Sequence, residues 1–445
     1  MIKTPNKFIA VFTLLVAFVA ANGQQNQFDN FAAQAAQVTE FDVNGLKVIL
    51  KRRVNSPTVA GGLFIRGGAR NITDKTAGIE SLTLASAIEA SKTMSRQAIR
   101  RELASTGSSI GSSVSSDYSV VSLISTKQHF DAVWNIFTDA IINPAFAAED
   151  IERDRNQILT GLREQNTFPE VSLEALKERV IYAGHPYAND ASGTIDTISK
   201  FTAIDLKAHH QRIMETSRLL LVIVGDIDAE QLKAKLASSF GKLPRGTYKD
   251  VAYPALDFSK GTLELSQRTL PTNYVQGVFA APPPGDADYY AMRVTMAILQ
   301  SLVFEAVRTE RQLSYAPDAG MSDLAANSGY ISVSTNDPNT AVSVMLDQIK
   351  LLQTRVLNDA FINGMSGFFL TKHYIDKETS VAQAADLALY ELNGGGWQKS
   401  FEFLNGVRRV TGKDVQRVAN KYIKNLRFAY LGNTASATRS VFLPN

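Results

Sequence analysis

Thr202-Ala203-Ile204-Asp205-Leu206 and, 209 residues later, Thr411-Gly412-Lys413-Asp414-Val415 open two helical patterns in the same way, with a threonine in the capping position and an aspartate three residues on. Each helix leads into an apolar strand pattern that ends in glycine, Leu219 to Val224 with Gly225 and Phe428 to Gly432. Two further pairs keep step: Arg101-Glu102-Leu103 with Arg311-Gln312-Leu313 at 210, and the strand at Tyr118 with that at Tyr330 at 212. A period this long is a domain duplication and not a solenoid repeat.

Within each half, strand patterns and helix patterns are segregated. The expectation is an α+β fold of two homologous domains, each an antiparallel-rich sheet with helices packed on one face. In the first half a hairpin spans Thr39 to Leu50 with a turn at Gly45, and Val59 to Ile65 is a strand leaving through Arg66-Gly67-Gly68-Ala69-Arg70. Gly78 to Glu89 reads as a buried helix, Ser95 caps another, and the Ser-rich run Ser105 to Ser119 reads as a loop entering a strand. The domains follow as 1–23 leader, 38–243 first half, 244–260 linker with Pro244, Gly246 and Pro254 as breakers, and 261–445 second half.

The chain has 445 residues, 45% hydrophobic and 20% charged, with a formal charge of +3, a composition of folded soluble domains with no sign of nucleic-acid binding. Lys3 and Lys7, the apolar run Phe8 to Ala21 and the small residues Ala21-Asn22-Gly23 form an export leader, so the expected destination is periplasmic or extracellular. A membrane is involved only if that leader is retained. Cysteine is absent, which excludes disulfides, a lipid-attachment cysteine and a thiol nucleophile.

The five histidines, His129, His185, His209, His210 and His373, show no pair at metal-ligand spacing; His209 and His210 are adjacent and point to different helix faces. His185 before Pro186 reads as a turn residue. Arg308 and Tyr315 stand seven apart in Val307-Arg308-Thr309-Glu310-Arg311-Gln312-Leu313-Ser314-Tyr315, where a helix ends ahead of Pro317. Two helical turns, or a break followed by a returning strand, bring phenol and guanidinium together as a donor set for a peptide backbone or carboxylate. On spacing alone, a solvated helix end beside a core tyrosine accounts for the same residues.

Taken in order, Phe64 to Arg70, His185-Pro186 ahead of Gly193-Thr194, Asp288-Tyr289-Tyr290-Ala291, and Arg308 to Tyr315 resemble the insulinase/pitrilysin superfamily of zinc peptidases, over about Thr39 to Asn433. Active members of that superfamily carry an inverted H-x-x-E-H motif and a later glutamate ligand. With Gly78 aligned to the family glycine, the motif positions are Ser81, Leu84 and Ala85, and the third ligand falls at Gly161; only an outer acid, Asp154, survives in kind. The resemblance therefore implies no metal in this chain and no hydrolysis by it alone. The R-x-x-R-x-L-x-Y pattern is kept at Arg308, Arg311, Leu313 and Tyr315, with Gln312 where the family has glycine and Gln300-Ser301-Leu302 where it has a glycine-rich turn. Arg308 and Tyr315 are then expected to bind substrate and orient its carbonyl, in a chamber completed by a homologous zinc-bearing partner that encloses an unfolded peptide. The alternative is a non-enzymatic assembly subunit like the respiratory-complex core proteins, in which the pair makes internal hydrogen bonds.

Overall fold

A computed structural model describes residues 33–165 and 167–444; the leader at 1–23 lies outside the described residues. β1 (Val38–Val43), β2 (Leu46–Arg52), β3 (Thr58–Arg66), β4 (Ser109–Val114), β5 (Tyr118–Thr126) and β6 (Leu219–Gly225) form a sheet in the order β1-β2-β6-β3-β5-β4. β7 (Thr262–Gln267), β8 (Asn273–Ala280), β9 (Asp318–Met321), β10 (Ser328–Thr335) and β11 (Arg427–Gly432) form a second, β7-β11-β8-β10-β9. Without β1 the two orders are the same, and each sheet has one parallel pair, β2 with β6 and β7 with β11, among antiparallel neighbours. The duplication is therefore a property of the topology.

Both quoted stretches are capping boxes. Thr202 Oγ1 accepts the Asp205 N–H at 3.3 Å and Thr411 Oγ1 that of Asp414 at 3.2 Å, while each aspartate accepts from its threonine N–H. Such a cap is worth about 1 kcal/mol and sets where the helix feeding the central strand begins. The ladders shift one landmark. Matching Gly225 to Gly432, which end the parallel pairs, places Leu220 on Arg427; through the antiparallel neighbours Phe64 then falls on Val278 and Val120 on Tyr330. Tyr118 thus corresponds to Ser328, two residues from the counterpart its identity suggested. A two-residue slip keeps a side chain on the same face of a strand, so periodicity cannot detect it.

Ser109–Val114, expected as loop, is the edge strand β4, paired with β5. Its glycine and serines argue against a strand, but Ile110 and Val114 alternate onto the first core, and pairing needs a partner on one side only.

Each sheet buries one face under its own helices: Val48, Leu50 and Leu63 meet Trp134, Phe137 and Phe240 in the first half, and Phe279, Ile331 and Phe428 meet Met292 and Leu299 in the second. The opposite faces are covered reciprocally. Helix Ser380–Asn393 of the second half lays Ala384, Leu387 and Ala388 on Ile49, Phe64, Leu220 and Val222 of the first sheet. Helix Pro169–Ile181 of the first half lays Leu173 and Leu176 on Ala429 and Leu431 of the second. Each such leucine contributes about 1.5–3 kcal/mol by burial, so this exchange holds the halves together.

Candidate functional site

Helix Ile79–Ala87 carries the metal-motif positions. It starts at Gly78, φ 80°, where a Cβ would lie 2.6 Å from the Cα of Gly193, itself at φ 90°. Only two glycines allow that approach, and this is why the Gly193-Thr194 landmark exists. Along the helix Ser81 and Ala85 are half-buried, and Leu84, 1% exposed, packs into the first core. Gly161 is exposed on helix Ala148–Gln165 with open space at its Cβ position. A hydroxyl, an isobutyl group, a methyl and a hydrogen offer no imidazole and no carboxylate, so these four positions do not fit zinc.

Beside them lies a polar network that the sequence reading passed over. The buried Glu80 carboxylate accepts from Ser119 Oγ, from Asn71 Nδ2 at 3.2 Å and from His209 Nε2 at 3.0 Å. Arg212 donates to His209 Nδ1 at 2.6 Å, which fixes the proton on Nε2. His210 turns the other way, its Nε2 meeting Ile141 O at 2.7 Å, as adjacent helix positions require. The signal was available: a lone carboxylate between Ile79 and Leu82 in an apolar helix must find donors. Asp154 is buried next to Ser86; desolvation, with help from Glu89 and Asp150, pushes its carboxyl up to about 6 against the opposing hydrogen bond of Ser86.

Arg308 and Tyr315 stand elsewhere. Helix Tyr289–Val303 widens into a π-helical turn, Phe304–Thr309, closed by Glu310 N–H to Glu305 O at 3.0 Å and Leu313 N–H to Val307 O at 2.9 Å. The chain then reverses at Gln312, φ 54°, the left-handed conformation that glycine adopts without strain. So the helix breaks before Tyr315, and the return brings its ring centroid within 5.6 Å of the Arg308 guanidinium carbon, which also lies 4.9 Å from the Phe304 ring. Arg308 is exposed and Tyr315 is 87% exposed. Among the described residues neither polar group has a hydrogen-bonding partner. Arg311 and Leu313 differ: Arg311 donates to Ala306 O at 2.9 Å, and Leu313 packs on the second core while its carbonyl accepts from Thr335 Oγ1 at 2.7 Å. Two of the four motif residues build the turn and two project from it.

Following this turn, Ala316 and Asp318 line one side of a groove of about 580 Å³ between helix Pro169–Ile181 and strands β8, β9 and β10. Glu174 and Glu178 line the helix side and Tyr274 and Tyr330 the sheet side; burial raises the Glu178 carboxyl, and Tyr330 donates to Asp318 at 2.8 Å. Arg308 and Tyr315 are not among the groove's walls. His185 is a turn residue, as expected: its Nδ1 accepts Tyr187 N–H at 3.1 Å and its Nε2 meets Pro254 O at 2.9 Å.

Two family descriptions match consecutive segments, "Insulinase (Peptidase family M16)" over residues 47–194 and "Peptidase M16 inactive domain" over residues 200–372. The mitochondrial-processing peptidase subunit beta of Saccharomyces cerevisiae is 23% identical over 422 residues, 88% of this chain and 90% of that protein. A Helicobacter pylori protein named as a non-peptidase homolog is 22% identical over 413 residues, 90% and 95% of the two chains. In fold, the periplasmic protease PqqL of Escherichia coli superposes with a TM-score of 0.74 at 14% identity, covering 89% of this chain but 46% of that one.

Proposed function

The chain belongs to the insulinase family, peptidase family M16, as an inactive homologue, and from that membership we propose that it is the non-catalytic, substrate-binding subunit of an exported two-chain zinc metallopeptidase. Its partner is a homologous chain that carries the zinc and the glutamate base. This chain supplies Arg308 and Tyr315 to a chamber that closes on an unfolded peptide, where few hydrogen-bond donors count for more because water is excluded.

The observation that carries the reading is the contrast between the two halves of the site. Ser81, Leu84, Ala85 and Gly161 have no ligand chemistry, while the Arg308 guanidinium and the Tyr315 phenol are held together, face solvent and have no hydrogen-bonding partner among the described residues. A relic pair in a scaffold subunit would be tied into internal hydrogen bonds. Size supports the two-chain arrangement, since PqqL is about twice as long as the segment this chain matches, and that protein's periplasmic description agrees with the leader at Lys3 to Gly23. A mitochondrial-processing peptidase subunit as relative supports a subunit role.

The test is co-expression with exported paralogues that bear H-x-x-E-H, followed by a peptide-cleavage assay. The expected result is cleavage only by the pair, and loss of kcat on Arg308→Ala combined with Tyr315→Phe. Full activity from the zinc-bearing chain alone, or no effect of the double substitution in the pair, overturns the reading. Export is tested separately by fractionation.

A further inference from the structure

Where the reciprocal exchange covers the first sheet, the burial is not all apolar. Lys51 on β2 points at helix Ser380–Asn393 and is only 5% exposed. No carboxylate pairs with it among the described residues: its Nζ donates to the neutral Gln34 Oε1 at 3.3 Å and lies 5.2 Å from the Phe401 ring centroid. The nearby carboxylate of Asp386 is taken, by Lys377 Nζ at 2.7 Å and by Ser400 Oγ. Gln34, Arg53, His373, Lys377 and Gln383 wall a cavity of about 460 Å³, rimmed by Tyr374 and Ile375, with Glu378 as its one acidic lining residue among the described residues. Lys51 is not itself a wall residue and meets the cavity through Gln34. Arg53 reaches across the junction to Ser380 Oγ at 2.9 Å, at the first turn of the covering helix, whose dipole adds positive potential.

A desolvated ammonium with an amide oxygen as its acceptor is an arrangement that favours an anion. Lys51 and Arg53 from the first half and Lys377 from the second outweigh Asp386 and Glu378 by one positive charge. We propose that this cavity at the junction of the halves is a binding site for a carboxylate, with the carboxylate group replacing Gln34 Oε1 on Lys51 and accepting from Arg53, and Tyr374 and Ile375 covering the ligand's apolar remainder. A monoanion matches the net charge; a phosphate dianion exceeds it. The site is separate from the Arg308 and Tyr315 surface and does not depend on the role assigned to that pair.

The ionisation of Lys51 gives the site a signature. Burial first, then Lys377 and Arg53, lower its ammonium to about 8, with Asp386 opposing; neutral His373 adds no charge, its own protonation being driven down to about 3 by burial, Lys377 and Lys51. An incoming carboxylate restores the proton. At pH 9 binding therefore takes up protons, up to about one per site, and at pH 7, where Lys51 is already charged, close to none.

The experiment is titration calorimetry on the whole chain with sodium acetate, with sodium chloride matching ionic strength, at pH 7 and pH 9 in two buffers of unlike ionisation enthalpy. The expected result is saturable acetate binding with proton uptake at pH 9 only. Affinity falls about tenfold or more in Lys51→Met and in the less buried Arg53→Gln, the loss of one charge-assisted hydrogen bond. An acetylated alanine tripeptide with a free C-terminus distinguishes the sources: tighter binding than acetate and than its amide assigns the site to a chain end, and no gain assigns it to a small organic acid. Heat that follows ionic strength alone, or acetate binding unchanged in both variants, overturns the proposal.

Discussion

Replacing Asp117 by alanine should unlatch the two halves. Its buried carboxylate accepts from Tyr187 Oη within the first half, and from Ala325 N–H at 2.9 Å and Asn393 Nδ2 at 2.6 Å in the second. Tyr187 Oη accepts in turn from Ala326 N–H at 3.1 Å, so four groups from both halves depend on one side chain. Truncation orphans three direct donors, each costing about 1–3 kcal/mol if it stays dry. Against that, the carboxylate's own burial is unfavourable, which is why its pKa is raised despite those donors, and water entering the gap recovers part of the loss. The net expectation is a loss of about 3–5 kcal/mol, as for breaking a buried charged network at one member. Urea unfolding at pH 7, followed by tryptophan fluorescence and far-UV dichroism, measures it. Trp134 reports the first core and Trp397 the junction. Because the bonds from Ala325 and Asn393 to Asp117, and from Ala326 to Tyr187, bridge the halves, the two signals should separate into two transitions in Asp117→Ala and coincide in the parent. Asp117→Asn keeps the volume and one acceptor oxygen but turns an NH₂ towards a donor, so its cost should be about 1–3 kcal/mol. A loss below about 1 kcal/mol in Asp117→Ala, with the two signals still coincident, refutes the latch.

Asp154 should make the protein less stable as pH rises. Its folded pKa of about 6 lies above the unfolded value of 3.8, so the folded state holds the proton more tightly, and stability falls between about pH 4 and pH 6 and is level above. Asp154→Asn should abolish that slope and stabilise the chain by about 1–3 kcal/mol at pH 7, read from urea midpoints across pH 4 to 7; an unchanged slope refutes it. Gln312→Gly removes left-handed strain of about 1–2 kcal/mol and adds unfolded-state entropy of about 0.5–1 kcal/mol, for a net gain of about 0–1.5 kcal/mol. A clear loss in denaturant midpoint contradicts that account of the turn.

What the sequence disclosed is what local rules govern. Capping threonines, strand-terminating glycines and the period near 210 fixed the duplication, because each depends on a few neighbouring residues. β4 was hidden because an edge strand takes its stability from β5 and from two core contacts, not from its own serines. The reciprocal exchange was hidden as well: Leu173 and Leu387 look like any amphipathic positions, and nothing local says that the face they cover belongs to the other half. Buried polar groups were the least legible. Glu80, Asp117 and Lys51 appear in the sequence as ordinary charges, and their partners lie 129, 276 and 17 residues away.

That distinction bears on the two site halves. Helix Ile79–Ala87 has packing reasons to persist without a metal, since Leu82 and Leu84 fill two cores and Glu80 anchors His209. Arg308 and Tyr315 have no comparable structural reason. A phenol that is 87% exposed buries little, and the stacked cation is worth about 0.5–1 kcal/mol at such a surface. Arg308→Ala with Tyr315→Phe should therefore lower the unfolding free energy from urea titration by no more than about 1 kcal/mol, so that any fall in kcat of the proposed two-chain enzyme reads chemistry and not folding. A larger loss of stability would mean that the pair holds the turn at Gln312 together, and the substrate-binding role would lose the observation on which it rests.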